Sequence, residues 1–478
     1  MRRVRSIDGR AWLRSGWLAV ALLGGCLHVP ADPLAPERSA AELASRSLAD
    51  PGLRAFAERS LETSFVVWPP QRLDLAMATA AAFYFQPSLD VARAQRDVAG
   101  SAIETAGQRP NPSITVAPEW NANAASGISP WILLTQMDWP IETAHKREHR
   151  IARADAQAAS ARHLLDAEAW RVRNDVRAAM AEAAASELRR DLLTRRSEAE
   201  RSLVDLQAER VRAGAASLAQ ALPIRLAWLA TEAELADAER MRGSSRARVA
   251  AAIGIPATAL ESIEFDYQLG PLDDPIDAIA EHDARRRALL DRADVLAALD
   301  VYAASEAALR LELAKQWPDL HIGGGHQFDQ GDNKWGLTVS IELPLMNHNE
   351  GPIAEAVAAR TEAAARFLAL QTQIIAELDQ AFAQRDATRS QVESLDRLVR
   401  EQRGAWERAR AAREAGAVDR STERAAEVEV LRSEVTLADA RLALDRARGQ
   451  IAAAVQGPLP AAEQIASSPR VAPLGATP

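Results

Sequence analysis

The sequence predicts a mainly α protein with a small β part, organised as two tandem helix–strand–strand–helix repeats. Long Ala-rich stretches with helical periodicity fill most of the 478 residues, and two short alternating segments interrupt each copy. Landmark residues recur in one order at spacings of 206, 204 and 202 residues: Pro112 with Pro318, Pro140 with Pro344, and Gly214 with Gly416. Self-similarity at a fixed spacing indicates a duplicated unit. We therefore predict a first repeat over 71–265 and a second over 266–458.

The chain begins with the features of a bacterial lipoprotein signal peptide. Basic residues precede an apolar run over 17–23, which is too short to span a bilayer, and Gly-Gly-Cys26 follows. We predict a signal peptide over 1–25, lipid attachment at Cys26 and an acylated N-terminal arm over 26–70. Several acyl chains on one cysteine give firm membrane anchoring. An ordinary signal peptide with an incidental cysteine is the alternative.

Each repeat contains two short segments with the pattern of membrane strands. The first strands of the two copies are predicted over about 113–121 and 319–328, and Leu337 to Leu343 alternates apolar with polar residues. Such lengths are close to the ~9–11 residues that a tilted strand needs to cross a bilayer. Five tryptophans near the strand ends predict an interfacial aromatic girdle: Trp120, Trp131, Trp139, Trp317 and Trp335. A small soluble β-sandwich that caps a coiled coil is the alternative.

Four strands are too few to close a barrel, and open strand edges are not tolerated in lipid. If the strands cross a membrane, several chains must share one barrel, and three chains with twelve strands are the simplest solution. Asp138 and Glu342 are 204 residues apart on the polar sides of their strands. We predict that they face the lumen of the barrel as rings of carboxylates that favour cations, with simple wetting of the lumen as the alternative.

The helical segments predict a long coiled-coil tube. After Pro140, a helical pattern without Pro or Gly continues to Arg212, which is about 72 residues and about 108 Å of helix. Each copy then contains a glycine suited to a left-handed C-cap, where a helix stops and the chain reverses. The two predicted helical tips consist of Arg212, Ala213, Gly214, Ala215 and of Glu414, Ala415, Gly416, Ala417.

Composition and motifs argue against several classes of function. The 57 Lys and Arg residues and the 66 Asp and Glu residues are well mixed, so no basic stripe indicates binding to nucleic acid. Three Tyr and eight Phe are few for a globular enzyme of this size, whereas coiled coils are rich in Ala and Leu. The sequence contains no phosphate-binding glycine loop, nucleophile elbow or metal-hydrolase helix. We expect neither enzymatic activity nor a cofactor.

The Pro-bracketed strand pairs, the long helices and the two tips together resemble the TolC family of outer-membrane efflux channels over roughly residues 71–458. The resemblance implies a homotrimer with a shared twelve-strand barrel and a long α-helical periplasmic tunnel. It also implies that the tips dock a periplasmic adaptor, the membrane fusion protein, which is joined to an inner-membrane RND pump. The implied location is the outer membrane of a Gram-negative bacterium, and Leu27 after the cysteine favours that membrane.

Within this family the chain is most similar to the cobalt–zinc–cadmium resistance (CzcC-like) branch. The resemblance rests on Pro140-Ile-Glu-Thr143 with the basic residues that follow, and on the string from Pro344 to Ala356. The branch usually has Gly-Gly where this chain has Ala144-His145. The resemblance implies export of heavy-metal cations. Export of drugs, other organic compounds or polypeptides by the same channel is one alternative, and a periplasmic coiled-coil adaptor or scaffold without a pore is another.

Three further groups of residues are weaker candidates. His145 and His149 are four residues apart on a predicted helix and form a candidate metal pair, although two ordinary polar positions are the simpler interpretation. Asp419, Arg420 and Glu423 follow the second tip and are candidates for a charged gate. Residues 459–478 are rich in Pro and Ala and are predicted to be a disordered tail.

Overall fold

The computed structural model describes residues 30–270 and 274–457. The predicted signal peptide, the lipidation site Cys26 and the C-terminal tail over 459–478 lie outside the described residues. Of the described residues, 44–457 belong to one compact unit and 30–43 to another. Most of helix α1, Pro36–Ser45, lies in the second of these units.

Helices make up most of the compact unit. In chain order they are α2 Pro51–Ser60, α3 Leu75–Phe85, α4 Pro87–Gly107, α5 Lys146–Arg212, α6 Leu218–Ile253, α7 Glu281–Leu290, α8 Ala293–Ala314, α9 Glu350–Glu414 and α10 Arg420–Val455. No helix within residues 30–270 and 274–457 is both long enough and apolar enough to cross a membrane.

The strands form two separate sheets. They are β1 Arg72–Asp74, β2 Ser113–Trp120, β3 Trp131–Ile141, β4 Glu264–Asp266, β5 Leu320–Asp329 and β6 Asp332–Ile341. β1 and β4 pair in parallel, whereas the other four form an antiparallel sheet in the order β2-β3-β5-β6. A two-residue turn with positive φ at both Gln330 and Gly331 joins β5 to β6, as twisted hairpins favour.

The order helix, two strands, long helix, reversal and helix occurs twice, so the predicted fold class is confirmed. The long helices α5 and α9 have 67 and 65 residues. Two boundaries differ from the prediction. β3 continues to Ile141, so α5 begins at Lys146 rather than soon after Pro140. β6 begins at Asp332, several polar residues before the alternating segment that starts at Leu337.

The long helices associate in pairs. α5 lies against α6 and also against α10, and α10 lies against α9. Buried apolar side chains fill the seam between α5 and α10, including Leu193, Leu431 and Val435. Each fully buried Leu contributes about 1.5–3 kcal/mol of transfer free energy, so these seams hold the hairpins together. Among the described helices, α6 and α9 make no comparable contact with each other.

A buried ionic network ties the chain segment between the repeats to the long helices. The side chain of Arg448 in α10 is fully buried and is paired with Asp277. One turn earlier, Asp445 accepts a hydrogen bond from Arg177 of α5 at 3.1 Å and another from the Tyr267 hydroxyl at 3.0 Å. Burial, aided by the nearby Asp445 carboxylate, raises the pKa of Tyr267 well above its usual range, so the phenol remains a donor.

Candidate functional site

The four-stranded sheet has one apolar face and one polar face. Directly paired residues of neighbouring strands share a face, so the register assigns every side chain. One face is apolar and largely exposed: Ile114, Val116, Trp120, Trp131, Leu133, Met137, Trp139, Ile141, Ile322, Trp335, Leu337, Val339 and Ile341. The other carries mainly small and polar residues, among them Thr115, Gln136, Asp138, Gly323, Gly325, Thr338 and Ser340. Such a large exposed apolar surface is typical of contact with lipid or protein.

Four of the five predicted girdle tryptophans lie towards the two ends of this sheet, whereas Trp335 lies near its middle, in the row of Thr135. Trp120 and Trp131 pair beside the β2–β3 turn, with ring centroids 4.9 Å apart in an edge-to-face arrangement. Trp139 lies near the end of β3 that leads into α5, and Trp317 precedes β5 at the same end. Trp335 is the fourth residue of β6 rather than an end residue, because β6 begins earlier than predicted. All five side chains are more than half exposed, although membrane contact itself stays a prediction.

Asp138 and Glu342 do not share a row of the sheet. Asp138 lies on the polar face opposite Gly323, and its Oδ2 is 2.9 Å from His321 Nδ1. Ile141 and Ile341 both pair with Leu320, so the residue of β6 in the row of Asp138 is Thr338. Glu342 follows the last residue of β6 and is exposed. The two carboxylates therefore lie in different rows of the sheet, and a lumenal role of either one stays a prediction.

A different set of acidic residues forms a row across the polar face. Glu119 pairs with Ile132, Ile132 pairs with Asp329, and Asp329 pairs with Asp332, so three carboxylates line up beside the two hairpin turns. Lys334 donates to Asp329 at 2.5 Å and partly neutralises the row. Sequence reasoning missed this row because it depends on the register between β3 and β5, which no local pattern gives.

A compact set of polar contacts joins the sheet to the long helix α5. The ammonium of Lys146, which is buried, lies 2.7 Å from the Asp319 carboxylate just before β5. The same carboxylate accepts a hydrogen bond from the backbone N–H of Thr143 at 2.9 Å. Arg150 forms a bidentate pair with Glu142, one arm of which measures 3.0 Å. The chain thus leaves β3 and enters α5 in a fixed direction.

The turns into both long helices contain residues other than glycine in the left-handed region. Ala144 and His145 have φ of 54° and 59° before α5, and Asn349 has φ of 65° before α9. The candidate metal pair lies here. The His145 side chain is 81% exposed, with its nearest carboxylate, Glu148, 3.9 Å away. Among residues 30–270 and 274–457, no three His, Cys, Asp or Glu side chains are grouped so that they could hold a metal ion.

Both predicted tips are tight reversals between long helices. α5 ends at Arg212 and α9 at Glu414, and Gly214 and Gly416 follow with φ of 71° and 73°. At the first tip Ala215 N–H donates to Arg210 C=O at 2.8 Å, and at the second Ala417 N–H donates to Ala412 C=O at 2.8 Å. These bonds with a left-handed glycine are those of a Schellman motif, which satisfies the last helical carbonyls. A side chain at either glycine would strain the turn.

The candidate gate residues are engaged in contacts at these tips. Asp419 is the N-cap of α10 and accepts hydrogen bonds from Thr422 N–H at 2.9 Å and from Thr422 Oγ1 at 2.7 Å. Its Oδ2 is also 3.0 Å from Arg210 Nη1 of the first hairpin. Glu423 is paired with Arg413 across the second tip, and Arg420 is exposed. The basic partners Arg210 and Arg413 were not identified from the sequence.

Comparison with known proteins assigns the chain to a family. The sequence profile described as outer membrane efflux protein matches residues 85–255 and 282–457. The chain belongs to the outer membrane efflux protein family. It is similar to the cobalt-zinc-cadmium resistance protein CzcC of Cupriavidus metallidurans, with 26% identity over 364 residues that cover 72% of this chain and 81% of that relative. It is therefore an efflux channel protein of the TolC type, with the outer membrane as its location.

Two solved structures of other proteins have the same fold as this outer membrane efflux protein. The outer membrane protein VceC of Vibrio cholerae superposes with a TM-score of 0.64 at 18% identity, covering 80% of this chain and 96% of VceC. The CmeC outer membrane channel of Campylobacter jejuni gives a TM-score of 0.64 at 13% identity, covering 90% of this chain and 94% of CmeC. At these identities the likeness establishes the fold.

Proposed function

We propose that three copies of this chain form a lipid-anchored outer-membrane channel that is the passive exit duct of a tripartite, RND-type efflux system for heavy-metal cations. The observation that carries the choice of cargo is the similarity to a cobalt-zinc-cadmium resistance protein over 81% of that relative's length. The acyl anchor would be Cys26. The repeats would span 71–265 and 266–458.

The sheet supports an assembly of several copies. β2 and β6 are its two edges, and each presents unpaired backbone groups to one side. An apolar face of this size is stable in lipid only when such edges are paired, because an unsatisfied peptide group in hydrocarbon costs several kcal/mol. Pairing β6 of one copy with β2 of the next satisfies both edges. Three copies give twelve strands.

The helices support the same assembly through the internal duplication. α10 buries a row of apolar side chains, including those of Val428 and Leu431, against α5. The residues 202 positions earlier in α6 are Leu226 and Leu229, which are 55% and 48% exposed. The equivalent of the α5–α10 contact is a contact between α6 and α9, which a single chain does not make. In the proposed trimer, α6 of one copy lies against α9 of the next.

The polar face of the sheet supports a cationic cargo. The row formed by Glu119, Asp329 and Asp332 would be repeated three times around the lumen, with one Lys334 per copy to offset it. Rings of carboxylates raise the local concentration of cations. At the opposite end of the helices, the two tips would dock the periplasmic adaptor that connects the channel to its inner-membrane pump. That pump would supply the energy for export.

Growth of a deletion strain tests the cargo. The strain is grown on graded cobalt, zinc, cadmium, copper and nickel, and in parallel on detergents, dyes and antibiotics. We expect selective sensitivity to metals that the intact gene restores. Sensitivity to organic compounds alone would retain the channel and overturn the metal cargo in favour of drug export.

A further inference from the structure

A cavity of 320 Å³ lies where the apolar face of the sheet meets the start of α5. Trp139 and Ile141 belong to that apolar face and also line the cavity, so the two surfaces are continuous. The lining also contains three basic residues, Arg109, Lys146 and Arg147, and two acidic residues, Glu142 and Glu148. The cavity thus joins an exposed apolar surface to positive charge at the helical end of the sheet.

Two of these three cations have no acidic partner among the described residues. Lys146 is committed to Asp319 at 2.7 Å. Arg147 Nε donates to the backbone carbonyl of Gly107 at 2.6 Å, which fixes the side chain while its two terminal nitrogens contact no carboxylate. Arg109 is exposed and makes no ion pair with a described residue. Guanidinium groups with free N–H donors bind phosphate well, because their planar fork matches two phosphate oxygens.

The carboxylates of the cavity do not cancel this charge. Glu142 is engaged by Arg150, outside the cavity. Glu148 is 62% exposed, with the His145 ring 3.9 Å away as its nearest basic group. A ligand with one phosphate and one primary ammonium would therefore find a partner for each charge here, the phosphate at the two arginines and the ammonium at Glu148.

The second repeat carries different residues at the two positions equivalent to Arg109 and Arg147. The residue 206 positions after Arg109 is Lys315, whose ammonium is paired with Glu312 at 2.7 Å. The residue 204 positions after Arg147 is Gly351. The two arginines without an acidic partner at the first junction thus have no counterpart at these two positions of the second.

We propose that this cavity binds the headgroup of an aminophospholipid, such as phosphatidylethanolamine, from the periplasmic leaflet of the outer membrane. The phosphate lies between Arg109 and Arg147, the ammonium lies near Glu148, and the acyl chains follow Trp139 and Ile141 onto the apolar face. Aromatic and basic side chains together are typical of the membrane interface. The proposal rests on the membrane placement of the sheet given under Proposed function. The bound lipid fixes the depth at which the sheet lies in the bilayer.

Native mass spectrometry of the full, delipidated chain in detergent tests the site, with dioleoyl phosphatidylethanolamine as the probe. We expect the double variant Arg109→Gln/Arg147→Gln to bind the lipid at least fivefold more weakly than the unmodified protein. The matched control Lys315→Gln should bind as the unmodified protein does, because Lys315 is already ion-paired. The variant Arg109→Lys/Arg147→Lys keeps the charge but loses the planar fork, so its affinity for the lipid should be intermediate. This variant also tests whether misfolding explains weaker binding by the glutamine variant.

Three results would overturn the proposal. Equal lipid binding by the glutamine double variant and the unmodified protein removes the arginines from the site. Displacement of the lipid by an equal concentration of inorganic phosphate or glycerophosphoethanolamine shows an anion site without a role for the acyl chains. Efficient cross-linking between copies of an Arg109→Cys/Arg147→Cys variant shows that a second copy covers the cavity. A separate measurement on the same samples tests the membrane placement of the sheet, namely quenching of tryptophan fluorescence by lipids brominated along their acyl chains. This quenching does not depend on the arginines, so it distinguishes failure of the lipid site from failure of the membrane placement.

Discussion

Arg210 and Asp419 join the two helical tips of one chain through an ion pair, with Arg210 Nη1 3.0 Å from Asp419 Oδ2. Arg210 lies in the last turn of α5, whereas Asp419 is the N-cap of α10, so the bond connects the first hairpin to the second. The partners are 46% and 53% exposed, and surface pairs of this kind stabilise a fold by only about 0–1 kcal/mol. The bond therefore contributes little to stability, yet it links two hairpins that would move apart if the tips opened.

Breaking this bond should make the proposed channel leakier without unfolding it. We expect Arg210→Ala and Asp419→Asn to raise single-channel conductance and antibiotic entry to a similar extent, because each removes one partner and asparagine still caps the helix. Asp419→Ala should also lower the free energy of unfolding by about 1 kcal/mol, because the cap is lost. Unchanged conductance in both Arg210→Ala and Asp419→Asn would show that the tips do not hold the channel closed.

The ion pair between Arg210 and Asp419 should break only in strongly acidic solution. Hydrogen bonds from the Thr422 side chain, from its backbone N–H and from Ser421, together with Arg210, hold the pKa of Asp419 below its ordinary value. Because the pKa is lowered on folding, the Asp419 carboxylate contributes fully to stability at pH values above its pKa in the unfolded chain, about 3.9. That contribution is lost as the pH falls through the pKa of Asp419 in the folded chain. We expect conductance in planar bilayers to stay constant from pH 7 to 5 and to rise only below about pH 4. Thr422→Val removes the shortest of these contacts, the side-chain hydrogen bond of 2.7 Å, so the rise in conductance should begin at higher pH. An unchanged onset would assign the transition to another group.

Substitution by glycine should stabilise the turn into α5 and destabilise the turn into α9. Ala144 and His145 are in the left-handed region, which costs a residue other than glycine about 1 kcal/mol, so Ala144→Gly and His145→Gly should each raise the free energy of unfolding by about 0.5–1 kcal/mol. Asn349 has a similar φ of 65°, but its Nδ2 donates to Glu312 C=O at 2.7 Å and to Glu312 Oε2 at 3.0 Å. Asn349→Gly removes both bonds and should lower the free energy of unfolding. Denaturant titration of the purified protein measures all three, and stabilisation by Asn349→Gly would show that backbone strain outweighs those bonds.

The fold class, the two tips and the apolar face of the sheet follow from local sequence signals. Gly214 and Gly416 mark the reversals because a left-handed helix cap favours glycine, and alternation identifies β3 and the second half of β6. The start of β6 was missed because Asp332, Asn333 and Lys334 are all polar and show no alternation. Strand pairing through the preceding turn, rather than side-chain pattern, places them in the sheet.

The contacts of the site were much less accessible to sequence reasoning. Lys146 and Asp319 are 173 residues apart, and Arg210 and Asp419 are 209 apart, so only the folded chain brings them together. Asp138 and Glu342 lie in different rows of the sheet for a related reason. Their spacing is that of the repeat, but β3 and β6 end at the same row of the sheet, at Ile141 and Ile341, which are only 200 residues apart.

The leucine row of α6 should hold copies together rather than stabilise one copy. Leu229 is 48% exposed, whereas its repeat equivalent Leu431 is buried at 1% exposure against α5. Leu431→Ala should therefore destabilise the single chain by about 2–5 kcal/mol, the usual cost of truncating a buried leucine. Leu226→Ala/Leu229→Ala should leave the helical content and the unfolding of the single chain nearly unchanged. In the proposed trimer the same double variant should dissociate at a lower temperature on semi-native gels and in light scattering, because each interface loses two leucines against α9 of the next copy. If the trimers of this variant are as heat-resistant as the unmodified ones, α6 does not lie at the interface and the symmetry argument drawn from α10 fails.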